Sequence, residues 1–205
     1  MSPRAKPSPR PRGRAKAPSA SAGRGALRVV AGSLRGRRFD APPGDATRPT
    51  SDRVRQAMFN ALESMGAVDG ARVLDGFAGS GALAIEALSR GAAHAVLAEV
   101  DGAARRCAEG NLQALGLAVQ ATVLGAGAAR ALPHGPFDLV LLDPPYAFDG
   151  WDELLAEVAA HLAPDAVVVI ESDREIPLPP SLRGLRARTY GGTVVGFATP
   201  AGAPS

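Results

Sequence analysis

Short apolar runs alternate with helix-like stretches over most of this chain. The runs have the length and composition of strands buried on both faces, and they occupy residues 72–74, 95–100, 119–124, 137–142 and 166–170. The stretches between them predict helices over residues 82–90, 101–115 and 150–162. Alternation of this kind is typical of a parallel, doubly wound sheet, so the sequence predicts an α/β fold with helices on both faces.

Each end of the folded region predicts a hairpin. Near the amino terminus, residues 27–31 and 37–39 flank a glycine-containing turn, and we expect the hairpin to present Arg35, Arg37 and Arg38. Near the carboxyl terminus, two strand-like runs within residues 185–198 surround Gly191 and Gly192. The chain therefore predicts short antiparallel additions to a parallel sheet.

A further helix is predicted to begin at Thr50 or Ser51, either of which has the side chain of a helix cap. Its apolar stripe consists of Val54, Met58, Ala61 and Leu62. The same spacing places Arg53 and Arg55 on other faces of this helix.

The strongest chemical signal is Asp143-Pro144-Pro145-Tyr146, which follows the apolar run 139–142. The prolines hold the backbone extended and supply no N–H donor, so the Asp143 carboxylate and the Pro144 carbonyl can both accept from one planar amino group. Tyr146 offers a ring face on which a nucleobase can stack. The alternative is a strand that ends in a plain Pro-Pro turn, but the flanking acid and aromatic residue favour chemistry.

The second signal is a glycine-rich turn between a strand and a helix, at residues 75–81. Gly79 and Gly81 allow a ligand to approach the backbone closely, and the helix amino terminus favours a negatively charged group. Spacing alone does not exclude a dinucleotide, because Ala84 fits the relaxed form of the dinucleotide pattern. The amino-group pocket decides the choice. A methyl donor uses both motifs, whereas a hydride carrier leaves the Asp-Pro-Pro-Tyr segment without a role.

These motifs lie within four blocks through which the chain resembles the bacterial 16S ribosomal RNA guanine-N2-methyltransferase family. The blocks are RVVAGSLRGRRF at 28–39, RPTSDRVRQAMFN at 48–60, VLDGFAGSGALAIEALSRGA at 73–92 and LVLLDPPY at 139–146. The resemblance implies a Rossmann-like class I methyltransferase with a mostly parallel seven-stranded sheet and an antiparallel last strand. It also implies S-adenosylmethionine as cofactor and methylation of guanine N2 in 16S ribosomal RNA or a small-subunit assembly intermediate.

The resemblance also assigns the candidate site residues. Asp143, Pro144 and Tyr146 are the candidate catalytic residues, and Pro145 lies on the RNA side. Glu99 ends the second strand, 24 residues after Asp75, as expected for an acid that binds the ribose. The predicted cofactor-binding residues are Asp75, Phe77, Ala78, Gly79, Ser80, Gly81, Glu99, Val100, Ala126 and Gly127.

This chain departs from the family after the third strand. Relatives commonly carry Asp or Asn there to contact the adenine amino group, whereas this chain has Ala126 followed by Gly127. Backbone groups would then have to bind adenine. The loss of one neutral hydrogen bond costs on the order of 1 kcal/mol, which weakens cofactor binding without abolishing it.

Charge is distributed unevenly along the chain. Residues 1–38 hold 11 basic residues and no acid, whereas residues 39–205 hold 12 basic and 20 acidic residues. A basic end of this kind suits a polyanionic partner. The expected RNA contacts in this segment are Arg35, Arg37 and Arg38. The resemblance adds Arg48, Thr50 and Arg53, which it implies either contact RNA phosphates or order the loop over the cofactor.

We expect four regions: a disordered basic tail (1–25), an RNA-facing hairpin and loop (26–49), a methyltransferase domain (50–199) and a disordered end (200–205). For the tail, RNA tethering and a low-complexity extension without a role are equally weighted. No apolar run is long enough for a membrane span, no zinc-like spacing joins the three histidines, and Cys107 is the lone cysteine. We therefore expect a cytoplasmic monomer without a metal.

Three other classes of protein share parts of this pattern. A DNA amino-methyltransferase uses the same Asp-Pro-Pro-Tyr chemistry, and a non-catalytic RNA-binding assembly factor could retain the fold. A nucleotide-dependent oxidoreductase fits the glycine turn but leaves Asp143 and Tyr146 without a role.

Overall fold

Two strands at the amino-terminal end form a small hairpin beside the main sheet. The computed structural model describes residues 26–42 and 51–202. In it, β1 (Leu27–Arg28) pairs antiparallel with β2 (Arg38–Phe39), as the sequence predicts. The expectations for Arg48, Thr50, the tail and the last three residues lie outside the described part of the chain.

The main sheet has seven strands. They are β3 (Arg72–Asp75), β4 (His94–Ala98), β5 (Ala121–Leu124), β6 (Phe137–Leu142), β7 (Leu162–Ser172), β8 (Leu182–Tyr190) and β9 (Thr193–Pro200), in the order β5-β4-β3-β6-β7-β9-β8. All neighbouring pairs from β5 to β7 are parallel, whereas β9 runs antiparallel to both β7 and β8. The predicted sheet, with its antiparallel last strand, is therefore confirmed.

The helices alternate with the strands as predicted. They are α1 (Asp52–Ser64), α2 (Ala82–Ser89), α3 (Gly102–Leu115), α4 (Ala128–Ala131) and α5 (Trp151–Ala159). Ser51 caps α1, since its hydroxyl accepts from Val54 N–H at 3.3 Å. Asp101 caps α3 by accepting from two backbone N–H groups, and Gly116 ends that helix at φ +77°. None of the helices within residues 26–42 and 51–202 has the length and apolar character that a membrane span requires.

Several predicted boundaries were wrong by a few residues. β4 ends at Ala98, so Glu99 and Val100 lie in the following loop. Residues 118–120 form a 3₁₀ turn before β5, because the chain reaches the sheet only at Ala121. The helix predicted to end at residue 162 ends at Ala159, since Leu162 already pairs with Phe137 in the sheet.

The core lies on both faces of the sheet. Residues of α1 and α2 cover one face, where Met58, Leu62 and Ile85 share a core cluster with Val73 and Leu139 of the sheet. Residues of α5 cover the other face, where Trp151, Leu155 and Val158 pack against Val140 and Val168. Because the two helical layers hold the central strands rigidly, the loops at the strand ends are positioned with precision.

The amino-terminal hairpin is held on α2 by a buried carboxylate, Glu86. Its two oxygens accept from the backbone N–H groups of Val30 (2.8 Å) and Ala31 (3.0 Å). The same carboxylate pairs with Arg90 at 2.8 Å and with Arg55 at 3.5 Å. Glu86 is 1% exposed, so the attachment of the hairpin depends on buried, charged hydrogen bonds.

The prediction that Arg55 faces away from the packed side of α1 was wrong. Its side chain is fully buried, and its Nη2 donates to Arg28 O at 2.7 Å and to Asp52 at 2.8 Å. The hairpin and Glu86 approach this face of α1, so a guanidinium is satisfied there by groups that are distant in sequence.

Glu86→Gln is expected to lower the free energy of unfolding by up to about 3–5 kcal/mol, because Arg55 and Arg90 lose their shared buried counter-ion and keep the more exposed carboxylates of Asp52 and Glu63. Urea denaturation followed by circular dichroism measures the change. The matched control is Glu63→Gln, which breaks the contact of Arg90 with a carboxylate whose side chain is 48% exposed. That variant is expected to lose at most about 1 kcal/mol. Equal losses in the two variants would contradict a special role for Glu86.

Candidate active site

Three carboxylates meet at one edge of the sheet because three adjacent parallel strands end there. Asp75 is the last residue of β3, and in the register it lies beside Leu97 of β4 and Leu141 of β6. Glu99 and Asp143 each follow two residues after those partners. The convergence of Asp75, Glu99 and Asp143 therefore follows directly from the strand order.

Asp75 is the buried member of these three carboxylates, whereas Glu99 and Asp143 are partly exposed. It is 1% exposed, and burial is the main reason that its pKa is raised from 3.8 to about 7. The negative charges of Asp143 and Glu99 raise the pKa further, whereas hydrogen bonds from the backbone of Ala84 and Phe77 lower it. The two neighbouring acids thus add negative charge around a carboxyl group that burial already disfavours in its ionised form, an arrangement that a cationic ligand would stabilise.

The glycine turn is shaped by hydrogen bonds at each of its ends. Gly81 N–H donates to Ala78 O at 2.7 Å, and Ala84 N–H in the first turn of α2 donates to the Asp75 carboxylate at 3.1 Å. Gly79 and Gly81 have φ values of +54° and +81°, which glycine adopts without strain. A Cβ at Gly79 would meet no atom within 4 Å, so the backbone is open to a ligand at this residue.

Glu99 connects the end of β4 to the glycine turn. One of its oxygens accepts from Gly79 N–H at 2.8 Å, and the other accepts from Asp101 N–H at 2.7 Å. Each carboxylate oxygen has a second lone pair, so Glu99 can still accept from a pair of ligand hydroxyls. The geometry suits the ribose-binding role predicted for it.

Beside Glu99, Val100 exposes 72% of its surface although it is apolar. It lies 4.0 Å from the position of a Cβ on Gly127, so Val100 and the loop after β5 approach each other. Ala126 and Gly127 are both partly exposed in this loop. An exposed valine beside small residues forms an apolar surface for a flat ring, such as adenine.

Asn111 takes part in the site in a way that the sequence analysis missed. Its Nδ2 donates to Ser80 O in the glycine turn and to Asp40 O after the hairpin, both at 2.9 Å. Its Oδ1 accepts from Asp40 N–H, also at 2.9 Å. A polar residue on the buried side of α3 was the available signal, and it identifies Asn111 as the link between hairpin and turn.

The Asp-Pro-Pro-Tyr segment leaves β6 at the same edge. Pro144 is buried, Pro145 is exposed, and the carbonyl of Pro145 accepts from Phe148 N–H at 2.8 Å. Tyr146 exposes 50% of its surface, and its hydroxyl lies 3.0 Å from Thr193 Oγ1 at the start of β9. Thr193 therefore fixes one end of the tyrosine. No sequence motif pointed to this residue.

Aromatic contacts join this segment to the glycine turn. Phe77 and Phe148 pack edge to face with centroids 5.3 Å apart, and Phe148 packs in the same way against Trp151. Phe77 was predicted to contact the cofactor. In the structure it lies in the glycine turn and packs against Phe148 of the other loop. The contact couples the position of one loop to that of the other.

The described arginines predicted to contact RNA lie on the surface. Arg35, Arg37, Arg38 and Arg53 are all exposed. Arg37 also donates to Ala114 O at 3.3 Å, so part of its donor capacity holds the hairpin against α3. In residues 26–42 and 51–202, no group of three or more His, Cys, Asp or Glu side chains is arranged to hold a metal ion.

The raised pKa of Asp75 predicts a specific dependence of stability on pH. The unfolded carboxyl ionises near pH 4 and the folded one near pH 7, so wild-type stability falls as the pH rises from about 4 to 7 and then levels off. Asp75→Asn keeps an acceptor for Ala84 N–H and removes the titration. Between pH 5 and pH 8, the wild type is expected to lose about 1–3 kcal/mol more than this variant in urea unfolding. Parallel curves for the two proteins would show that Asp75 ionises normally.

Comparison with known proteins places this site in a family. A family model described as Conserved hypothetical protein 95 matches residues 27–199. The Ribosomal RNA small subunit methyltransferase D of Escherichia coli K12 is 40% identical over 161 residues, covering 77% of this chain and 80% of that protein. The protein of the same name from Haemophilus influenzae is 35% identical over 179 residues, covering 82% and 91%.

Solved structures agree with the sequence comparison. The yhhF protein of Escherichia coli has a TM-score of 0.77 and 32% identity, and the match covers 87% of this chain and 99% of that one. TrmN from Thermus thermophilus has a TM-score of 0.62 and 28% identity over 72% of this chain and 48% of its own. The family model, the relatives and the sheet order together show that this chain belongs to the ribosomal RNA small subunit methyltransferase D family, with the class I methyltransferase fold.

Proposed function

We propose that this protein transfers a methyl group from S-adenosylmethionine to the exocyclic N2 of one guanine in 16S ribosomal RNA. The observation that carries the proposal is that the Asp-Pro-Pro-Tyr segment and the glycine turn leave adjacent strands and share the carboxylate cluster of Asp75, Glu99 and Asp143. The names of the relatives support ribosomal RNA as the substrate. The choice of guanine N2 comes from the sequence resemblance.

The residues present fit this cofactor. Gly79 has open space at its backbone, Glu99 can accept from ribose hydroxyls, and Val100 with Ala126 and Gly127 offers a surface for adenine. When bound, S-adenosylmethionine supplies a methyl group on a positively charged sulfur. The charged form of Asp75 is disfavoured mainly by burial and further by the negative charges of Asp143 and Glu99, so a positive charge near it is favourable.

Asp143 and Pro144 prepare the amino group for reaction. A nucleobase amine is a weak nucleophile because its lone pair is delocalised into the ring. The Asp143 carboxylate and the Pro144 carbonyl accept from its two N–H bonds and direct the lone pair outward. Positive charge develops on the nitrogen during transfer, so the Asp143 carboxylate binds the transition state more strongly than the ground state.

Tyr146 positions the base. Its half-exposed ring supplies a stacking face, and the contact between its hydroxyl and Thr193 fixes the ring direction. A guanine turned out of its helix or loop would stack there with its amino group toward Asp143. Arg35, Arg37, Arg38, Arg53 and the exposed Pro145 then face the surrounding RNA, together with Arg48 and Thr50 as the resemblance implies.

Asp143→Asn is expected to reduce methyl transfer by about 100-fold or more, because the neutral amide stabilises developing positive charge poorly. Transfer of radioactive methyl to 16S ribosomal RNA, as free RNA and in small-subunit particles, measures the loss. Calorimetry with S-adenosylhomocysteine checks that cofactor binding persists. The matched control is Asp149→Asn, an exposed acid in the same loop. Normal transfer by the Asp143 variant would rule out its proposed role.

Nucleoside mass spectrometry of the labelled RNA separates the two parts of this proposal. N2-methylguanosine at one position supports the stated target. Another methylated nucleoside in ribosomal RNA would replace the target and keep the reaction. Label that enters DNA in preference to RNA would replace the substrate.

Tyr146→Phe is expected to keep stacking and lose only the contact with Thr193, so KM for RNA should change by less than about fivefold, in line with a net hydrogen bond of about 1 kcal/mol. Tyr146→Ala removes the ring and is expected to weaken RNA binding by about 1–3 kcal/mol. Steady-state kinetics with saturating cofactor measure both variants. Equal behaviour of the two would show that the hydroxyl, and not the ring, is the functional part.

A further inference from the structure

The C-terminal hairpin, formed by β8 and β9, carries a row of basic and aromatic side chains that leads to Tyr146. Arg186, Arg188 and Tyr190 of β8 lie opposite Phe197, Val195 and Thr193 of β9. Alternate residues of a strand share one face, and directly paired residues lie on the same face. The three side chains of β8 therefore lie on one face, which we call the arginine face.

Two contacts fix the direction of this face. The guanidinium of Arg186 lies 4.9 Å from the centroid of the Phe197 ring, which confirms that the paired side chains share a face. At the other end of the row, Thr193 contacts the hydroxyl of Tyr146. The arginine face is thus continuous with the tyrosine proposed to stack the target base. Both tyrosines of the chain, Tyr146 and Tyr190, lie next to Thr193.

The arginines on this face, Arg186 and Arg188, form no ion pair with the described residues. Arg188 is exposed. Nε and Nη2 of Arg186 are buried and have no hydrogen-bond partner in the described part of the chain. Glu171 is the acid in the same row, opposite Val195, but it is only 5% exposed, so a ligand on the surface does not meet its carboxylate. A guanidinium that is stacked on an aromatic ring and lacks an anion is well suited to receive a phosphate.

We infer that the arginine face is a second RNA-binding surface, on which Arg188 and Arg186 bind backbone phosphates of the nucleotides that flank the target base. The inference rests on the proposed function and extends it from the amino-terminal arginines to the edge strand β8. Arg186 and Arg188 are two residues apart, roughly 7 Å along the strand, which is close to the spacing of successive phosphates in an extended RNA strand. Its contacts position the RNA and carry no sequence information.

The test compares charge removal at the two ends of β8. Arg188→Gln and the double variant Arg186→Gln/Arg188→Gln remove charge on the arginine face. Arg183→Gln is the matched control, since this exposed arginine pairs with Thr199 at the far end of the same strand, roughly 23 Å from Tyr190. Arg188→Lys retains the charge. Binding to a 16S ribosomal RNA transcript and to small-subunit particles is measured from 50 to 300 mM KCl, alongside S-adenosylhomocysteine affinity and methyl transfer.

For Arg188→Gln we expect RNA affinity to fall about threefold to tenfold. The slope of log affinity against log salt should decrease in magnitude by about 0.7–0.9, which corresponds to the loss of one phosphate contact. The double variant should lose about twice that slope. We expect KM for RNA to rise while kcat at saturating RNA and the cofactor affinity stay within threefold of wild type. Arg188→Lys should retain most of the slope, and Arg183→Gln should change it by less than about 0.3.

Two results would overturn the inference. An unchanged salt slope in Arg188→Gln, at an exposed position where folding is not at risk, would show that the arginine face does not contact RNA. Equal changes in Arg188→Gln and Arg183→Gln would show a general effect of net charge. If the wild-type protein neither binds nor methylates ribosomal RNA, the proposed function fails and this inference fails with it, so the two failures are distinguishable.

Discussion

The site depends on one constraint, the burial of the Asp75 carboxylate beside two other acids. Three central strands of a parallel sheet end at the same level, so residues that are far apart in sequence bring Asp75, Glu99 and Asp143 together. Asp75 must stay there because it accepts from Ala84 N–H and so joins the end of β3 to the start of α2. Burial, together with the negative charges of Asp143 and Glu99, disfavours ionisation of Asp75, and the same negative charges would favour the positively charged cofactor of the proposed function. A structural need and a functional one are met by the same electrostatic arrangement.

The glycine turn and the amino-terminal hairpin are mechanically connected. Glu86 of α2 holds the amino-terminal hairpin through two backbone N–H groups, and α2 begins at the glycine turn. Asn111 of α3 contacts both Asp40, after the hairpin, and Ser80, in the turn. Ordering of the glycine turn around a ligand therefore stabilises the base of the hairpin that carries Arg35, Arg37 and Arg38. Both links are hydrogen bonds made by buried side chains, Glu86 and Asn111, and such bonds have narrow geometric tolerance.

The sequence predicted the parts of the fold that local patterns determine. β6 was predicted over its observed range, because a strand buried on both faces is a continuous apolar run. The helix predicted over residues 101–115 is α3, whose start and end are set locally by Asp101 and Gly116. β4 was predicted too long, because Val100 is apolar but exposed beside Glu99. The buried position of Arg55 was not predicted, since its partners Glu86 and Arg28 come from distant parts of the chain. Asn111 and Thr193 were missed for the same reason, as their roles exist only once α3 and β9 are in place.

The distribution of charge gives a physical reason for selecting a single nucleotide. The periphery is positive, with arginines on the amino-terminal hairpin and on β8, whereas the centre of the site is negative. An RNA backbone is attracted to the rim, yet its phosphates are repelled by the three carboxylates at the centre. A neutral base is the part of the polymer that can enter without this repulsion, and its amino group gains hydrogen bonds there. Under the proposed function, the same carboxylates that favour a cationic cofactor would repel the RNA backbone from the reaction centre, which gives an extruded base preferential access to Asp143.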